Sequence, residues 1–401
     1  MSSPALVRPR PVHRAADLLA AYLPGSFYFS SPRGSLLADG VRVSVRRGTG
    51  SWSHAAAEAL GKAEALGVTE PVVAGAIGFR PDAEASLVIP AVVRRAGAPE
   101  RSAAADTPAG FGATTWSVTP RPEPRAYADG VRGALDLIGA GGLDKVVLAR
   151  GLELTADAPV SVPSLLTRLV RADPAAYAFA VDVTAAGDPA TRTLTGASPE
   201  LLVSRRGDTV VANPLAGSLP RSADDAENRR RIATLLASAK DRREHAHVSA
   251  QVGDVLSRFC ADLDVPAEPE VIGTPTMWHL SSRITGRLRN PADPGSSSLA
   301  LAEALHPTPA VCGVPTAPAY AAIAELEPED RGYYAGLVGW SDVDGDGEWA
   351  VTIRSAEVCD RTVRLFAGAG IVAGSDPEAE LAETSAKFRT LLRALGLEGA
   401  A

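Results

Sequence analysis

Apolar and polar positions alternate most clearly between Glu348 and Lys387, in EWAVTIRSAEVCDRTVRLFAGAGIVAGSDPEAELAETSAK. Trp349, Val351 and Ile353 fall on one side and Ala350, Thr352 and Arg354 on the other, the two-residue period of a half-buried strand. Thr362 to Ala367 alternates again after a short polar turn, so the two runs predict a β-hairpin. The second strand continues into Gly368-Ala369-Gly370, where missing side chains let the backbone approach a neighbouring group closely. Asp376-Pro377 then supplies an N-cap and a proline at the first helical position. On the helix that follows, Glu380, Glu383 and Lys387 at i, i+3 and i+7 share one face. Two readings stay open here. The face is a solvated one with an i,i+4 Glu-Lys pair, or its charges converge with Arg354 at a glycine-rich corner.

Upstream, the pattern predicts a helix from Tyr127 to Ala140 and, by β-branched content, a strand from Leu143 to Arg150. Lys145 stands near the entry to that otherwise apolar run. It is either an edge lysine guarding a strand end or an amine drawn into a closed site, where desolvation favours the neutral, basic form. In Gly196-Ala-Ser-Pro-Glu200 the proline sets a turn and the glutamate opens the apolar run Leu201-Leu-Val203. That carboxyl is a turn carboxylate in water or a partly desolvated general acid. After Pro214-Leu-Ala-Gly-Ser218 a long helix is predicted from about Asp224-Asp225, acids first as the helix dipole favours. Ile232, Leu235, Leu236 and Ala239 mark one apolar stripe, and Val248, Val252, Val255 and Phe259 a second. Glu244 lies one turn before Val248, in phase with the second stripe, so it needs a partner such as a metal cation. His245 and His247 lack metal-ligand spacing on a helix and read as surface or cap residues. His279, alone in Thr274 to Leu280, has the ordinary reading of a hydrogen-bonded structural histidine. His306-Pro-Thr-Pro-Ala310-Val311-Cys-Gly313 reads as a rigid loop able to shape a pocket.

Composition narrows the classes. The 401 residues allow a sizeable core and, by length alone, two or three domains. A formal net charge of −7, with no basic run interleaved with aromatics, argues against a nucleic-acid binder. The N-terminal segment has arginines but no apolar h-region, and no run approaches transmembrane length. Cys260, Cys312 and Cys359 are too few and too scattered for a disulfide framework or a zinc site. A cytoplasmic protein is the simplest expectation. Asp342-Val-Asp-Gly-Asp-Gly347 matches the first half of an EF-hand loop, but its twelfth position is Ile353, so it reads as a polar turn. Residues 1 to about 95 alternate short apolar runs with turns, and Gly97 to Gly110 reads as an exposed, mobile connection.

Taken in order, nine segments resemble the chorismate-utilising enzymes, the family of isochorismate, salicylate, anthranilate and aminodeoxychorismate synthases. They are Lys145-Val-Val-Leu-Ala-Arg150, Gly196-Ala-Ser-Pro-Glu200, Pro214-Leu-Ala-Gly-Ser218, Lys240-Asp-Arg-Arg-Glu244-His245 and Pro275-Thr-Met-Trp-His279-Leu280. His306-Pro-Thr-Pro-Ala310, Thr352-Ile-Arg354, Phe366-Ala-Gly-Ala-Gly-Ile-Val372 and Glu380-x-x-Glu383-Thr-x-x-Lys387 complete the set. The likeness is strongest to siderophore-type isochorismate synthases and covers roughly residues 125 to 395. It implies an α/β (α+β) fold, anthranilate synthase component I-like: one large domain of antiparallel β-sheets with helices packed outside. Residues 1–118 would be a divergent N-terminal part of that fold and 119–401 the chorismate-binding catalytic region.

The resemblance also implies roles. Lys145 would be the general base that activates water for attack at C2 of chorismate, and Glu200 the general acid for the departing C4 hydroxyl. Glu244 and Glu383 would hold Mg²⁺, with Glu380 acting through water. Gly217, Ser218, His279, Ala310, Val311, Thr352, Arg354, Gly368 and Lys387 would contact the substrate, Arg354 suiting a carboxylate through its planar fork. Lysine at 145 points to water rather than ammonia as nucleophile, so no amidotransferase partner is expected, and the resemblance leans to a monomer. Salicylate synthase, which goes on to eliminate pyruvate, is the nearest alternative; an aminating enzyme and a non-catalytic chorismate-binding protein are more distant ones.

Overall fold

β-branched and alternating runs dominate the chain, and their edges need partners. In the computed structural model, which describes residues 14–101, 111 and 114–397, seventeen strands find those partners in one continuous antiparallel sheet. Lys145–Ala156 pairs with Thr362–Val372 from Lys145 opposite Val372 to Thr155 opposite Thr362. The sheet passes from there through Ser355–Cys359, Arg192–Ser198 and Tyr177–Asp182 to Phe27–Ser31. It continues through Gly34–Ser44, Ala85–Ala96 and Val72–Ile77 to Leu337–Asp342. Gly347–Val351, Leu201–Arg206 and Thr209–Asn213 follow. Strands from the first hundred residues therefore lie mid-sheet and join its two halves. A separate three-stranded sheet joins Leu215–Pro220, Met277–Ser281 and Glu270–Gly273.

Helices cover the sheet from outside, as expected. Pro124–Gly139 and the C-terminal helix Pro377–Leu395 pack on each other and on Thr362–Val372. Leu165 and Leu169 of the Val162–Ala172 helix meet Phe388, Leu391 and Leu395 of the C-terminal helix in one apolar cluster. Each fully buried leucine there contributes roughly 1.5–3 kcal/mol. This packing fixes the orientation of the C-terminal helix, and with it Glu380, Glu383 and Lys387.

Three expectations are corrected. The run from Glu348 is not one half-buried strand: Gly347–Val351 is buried throughout, and Ser355–Cys359 is a second strand beyond a break at Thr352–Arg354. The first pairs with Leu201–Arg206 and the second with Arg192–Ser198, so the chain steps from one part of the sheet to another. Only the later half of the run forms the expected hairpin with Thr362–Val372. The long helix after Asp224 is two helices, Asp225–Ala237 and Ala239–Leu256, split at Ser238, whose side chain accepts from the Asp241 N–H and caps the second. His245 is no surface residue: it is buried, with Nε2 2.8 Å from Ser282 Oγ and Nδ1 3.3 Å from the Ala216 carbonyl. Burial holds its imidazole down at about 4.

Asp342 to Gly347 is the expected polar turn, its Asp342 carboxylate accepting from the N–H groups of Asp344 and Asp346. The connection expected from Gly97 to Gly110 falls largely on residues 102–110, outside the described residues, as do the first thirteen residues of the N-terminal segment. Among the described residues the three cysteines are free, and no helix is long and apolar enough to cross a membrane.

Candidate functional site

Two chain segments step between the same parts of the sheet side by side. One is Ser198-Pro199-Glu200-Leu201 and the other Val351-Thr352-Ile353-Arg354-Ser355. They are bonded to each other: the Ala197 N–H donates to the Arg354 carbonyl (3.1 Å) and the Val351 N–H to the Glu200 carbonyl (3.2 Å). Glu200 and Arg354, each at a step, line a single cavity. Proline 199 stops the first strand from running on; Arg354 turns with a φ of +53°.

The Glu200 side chain is 2% exposed, and its Oε1 has no partner within the protein. Burial pushes the carboxyl up from 4.5 to about 7, although the Leu215 N–H and the charges of Lys145, Arg354 and Lys387 pull the other way. Near neutrality the group thus holds its proton about half the time. His279 sits in the three-stranded sheet opposite Ser218, buried, with Nε2 unpartnered. Burial, then Arg354 and Lys387, hold it well below its usual value, so it is neutral at pH 7.

Opposite lie three carboxylates, each facing a lysine. Lys145 is fully buried at the head of its strand, its Nζ 2.9 Å from Glu244 Oε1 in a close ion pair. Lys145 Nζ has no hydrogen-bond partner among the described residues, so charge alone pairs it with Glu244. The pair rests on Gly370, where a Cβ would stand 2.1 Å from Glu244 Oε1 and 3.0 Å from Lys145 Cε. Glycine is required there for the pair to exist. Lys387 bonds Glu383 (2.6 Å) and the Gly368 carbonyl (2.8 Å), while the Ser218 hydroxyl donates to Glu383 Oε1 (3.1 Å). Burial alone would raise the Glu383 carboxyl; Lys387 and the hydrogen bonds outweigh it and hold it below the usual range. Glu380, 1% exposed, meets Lys240 at 2.5 Å, and burial and then the Glu383 charge push its carboxyl up.

Eleven of the fourteen residues singled out from the sequence line the cavity: Glu200, Gly217, Ser218, Glu244, His279, Ala310, Val311, Arg354, Gly368, Glu383 and Lys387. Lys145 stands directly behind Glu244. Glu380 is behind Glu383, on the Lys240 side. Thr352 does not reach the wall; it is buried, and its hydroxyl donates to the Tyr333 carbonyl beneath the Arg354 step. The solvated-face reading of the C-terminal helix is thereby excluded. The open volume among these groups is small, about 50 Å³.

Sequence reasoning passed over Tyr334, and it quoted Lys240 in a motif without giving it a role. Tyr334 lines the cavity above Gly368, where burial pushes its hydroxyl up to about 12. It lies in Arg331-Gly-Tyr-Tyr334, a turn without periodicity, and nothing local marks it. Lys240 precedes Glu244 by four residues, and that helical spacing was a usable sign that the two share a face.

The family model described as chorismate binding enzyme matches residues 76–396. The isochorismate synthase DhbC of Bacillus subtilis strain 168 is 49% identical over 392 residues, spanning 96% of this chain and 97% of that protein. A crystal structure assigned as the 2,3-dihydroxybenzoate-specific isochorismate synthase DhbC of Bacillus anthracis superposes with a TM-score of 0.90 at 44% identity, covering 96% of this chain and 99% of that one. Anthranilate synthase component I of Streptococcus pneumoniae gives 0.66 at 20% identity over 98% and 95% of the two chains, a likeness of fold alone.

Proposed function

The chain belongs to the chorismate-binding enzymes, and from that membership we propose that it is an isochorismate synthase of the siderophore type, supplying isochorismate toward 2,3-dihydroxybenzoate. One observation carries the proposal: a carboxyl raised to about 7 faces a small cavity with an orphaned oxygen, across from a wholly buried lysine. The reaction needs that pair. Water must lose a proton as its oxygen attacks C2, and the C4 hydroxyl must gain one as it leaves.

In the proposed assignment Lys145 accepts the proton of the attacking water and Glu200 delivers its own to the leaving oxygen. A lone pair of the water oxygen forms the C2–O bond, the ring double bonds shift, and the C4–O pair leaves with the protonated hydroxyl, so no redox cofactor is consumed. Arg354 receives one substrate carboxylate on its planar fork, beside the Gly368 backbone that Lys387 holds in place. His279, neutral, and Ser218 offer hydrogen bonds without adding charge, and Val311 and Ala310 pack against the ring. Thr352 supports the Arg354 step from behind.

The donor set of Glu244 and Glu383, with Glu380 behind, fits a hard divalent cation because all are carboxylate oxygens; a bound cation would take over the partnering that the lysines give them here, leaving the Lys145 amine free to act as base. We assign it as Mg²⁺, which when bound anchors a substrate carboxylate and offsets charge beside the ring. Among the described residues no three such groups are gathered closely enough to hold a metal ion by themselves. All proposed groups fall within 119–401, leaving residues 1–118 a scaffolding share of the same fold. The enzyme would act in the cytoplasm, as a monomer without an amidotransferase partner.

The test is product analysis of purified protein incubated with chorismate and Mg²⁺, with an EDTA control. Isochorismate without pyruvate, lost with EDTA, is the expected result. Salicylate with pyruvate would reassign it as a lyase that runs past isochorismate, and an aminated product would overturn the water-activating role of Lys145.

A further inference from the structure

Beyond Arg354 lies a second cavity, larger than the catalytic one, at about 230 Å³. It shares the wall residues Pro199 and Arg354 with the catalytic cavity. The face of the C-terminal helix that carries Glu383 and Lys387 runs on through Thr390 and Ala394 into its wall. Arg168, Arg171 and Arg393 join Arg354 around it, against the single acid Asp173. In a chain of formal charge −7 this is a local concentration of positive charge.

A bland account exists for part of it. Arg171 and Arg393 stand in the last turns of their helices, where cations complement the helix dipole, and Arg168 donates to the Arg393 carbonyl at 3.4 Å. Dipole compensation acts at each helix end separately. It does not explain why two helix ends and the Arg354 step bring four arginines to the wall of one hollow beside the catalytic cavity.

We propose that this hollow is an antechamber that gathers the dicarboxylate substrate by charge and passes it to Arg354. The inference rests on the proposed function, since it takes chorismate as that substrate. Charges at this remove act alike on bound substrate and transition state, so they set the concentration at which the enzyme saturates and leave the chemical step alone.

The test compares wild-type enzyme with R168Q/R171Q/R393Q and R168K/R171K/R393K, assayed for chorismate turnover at fixed Mg²⁺ over a range of NaCl. The glutamine variant should raise KM on the order of tenfold at low ionic strength, with kcat retained. The lysine variant should keep the wild-type KM, because charge rather than fork geometry is at work. Wild-type KM should climb with salt toward that of the glutamine variant as screening shortens. An unchanged KM in the glutamine variant, or a fall in kcat alone, overturns the antechamber and leaves the proposed function standing. Should the glutamine variant not fold, a salt-insensitive wild-type KM overturns it equally. A wild-type protein that turns over no chorismate overturns both.

Discussion

Replacing Glu200 by glutamine removes an ionisable proton while keeping the side chain's shape and the acceptor used by the Leu215 N–H. Two effects of opposite benefit should follow. The proposed acid is lost, so kcat should fall between about 10²- and 10⁴-fold. Stability should move the other way at high pH. The carboxyl titrates at 4.5 in an unfolded chain and at about 7 in the fold. Between those values the folded protein binds more protons than the unfolded one, so stability falls as pH rises through the window, and the loss is complete above it. At 1.36 kcal/mol per pH unit the penalty above the window is about 3 kcal/mol. Glu200→Gln does not carry it. Its melting temperature should exceed wild type by a few degrees at about pH 8.5 and lose that lead below about pH 4.5. The wild-type kcat/KM should also decline above about pH 7, a limb missing from the variant's residual activity. Thermal melts and initial rates across pH read both effects. A variant retaining wild-type kcat, or a melting difference that does not grow with pH, would refute the reasoning, the first on the chemistry and the second on burial as the cause.

Two further substitutions probe the other side of the cavity. Lys145→Gln should lower turnover by about 10²-fold or more while chorismate and Mg²⁺ still bind, measured by calorimetry; wild-type turnover would mean another group is the base. Gly370→Ala should cost about 1–3 kcal/mol by thermal melting and abolish most activity, since the added methyl stands 2.1 Å from Glu244 Oε1; unchanged melting would show that the Lys145–Glu244 pair is not seated as described.

The legible parts of the site were those with a local signature. Asp376 caps the C-terminal helix through the Ala379 N–H (2.8 Å), as Asp-Pro before an acidic turn announces. The i, i+3, i+7 spacing placed Glu383 and Lys387 on the face that lines the cavity. Spacing could not say what that face meets. Glu380 pairs with Lys240 across 140 residues of chain and Lys145 with Glu244 across 99, contacts that no period records. His245 was misplaced for a related reason: a histidine among arginines on a polar-looking helix turn reads as exposed, and only the small sheet beneath, with Ser282 and the Ala216 carbonyl, makes it interior.

The break at Thr352–Arg354 was hidden for a deeper reason, which bears on why the site is where it is. A strand that continues and a strand that steps to another part of the sheet show the same alternation, because apolar residues suit both destinations. What differs is backbone conformation, and there local preference is opposed. Four described non-glycine residues have positive φ, and two of them, Ala335 (+61°) and Arg354 (+53°), line the cavity. Each such conformation costs on the order of 1–3 kcal/mol and persists only where its surroundings over-determine it. They do so here: the Ala335 N–H donates to the Thr352 carbonyl at 2.9 Å, and the Arg354 carbonyl accepts from Ala197 on the neighbouring step. A strand in regular pleat would point Arg354 to one face of the sheet or the other. The step instead aims it along the gap between sheet segments, where Glu200 and the C-terminal helix converge. The strain and the site therefore have one origin, the paired crossing of Pro199-Glu200 and Thr352–Arg354. A sequence rule built on unstrained strands fails at the residues that the crossing exists to position.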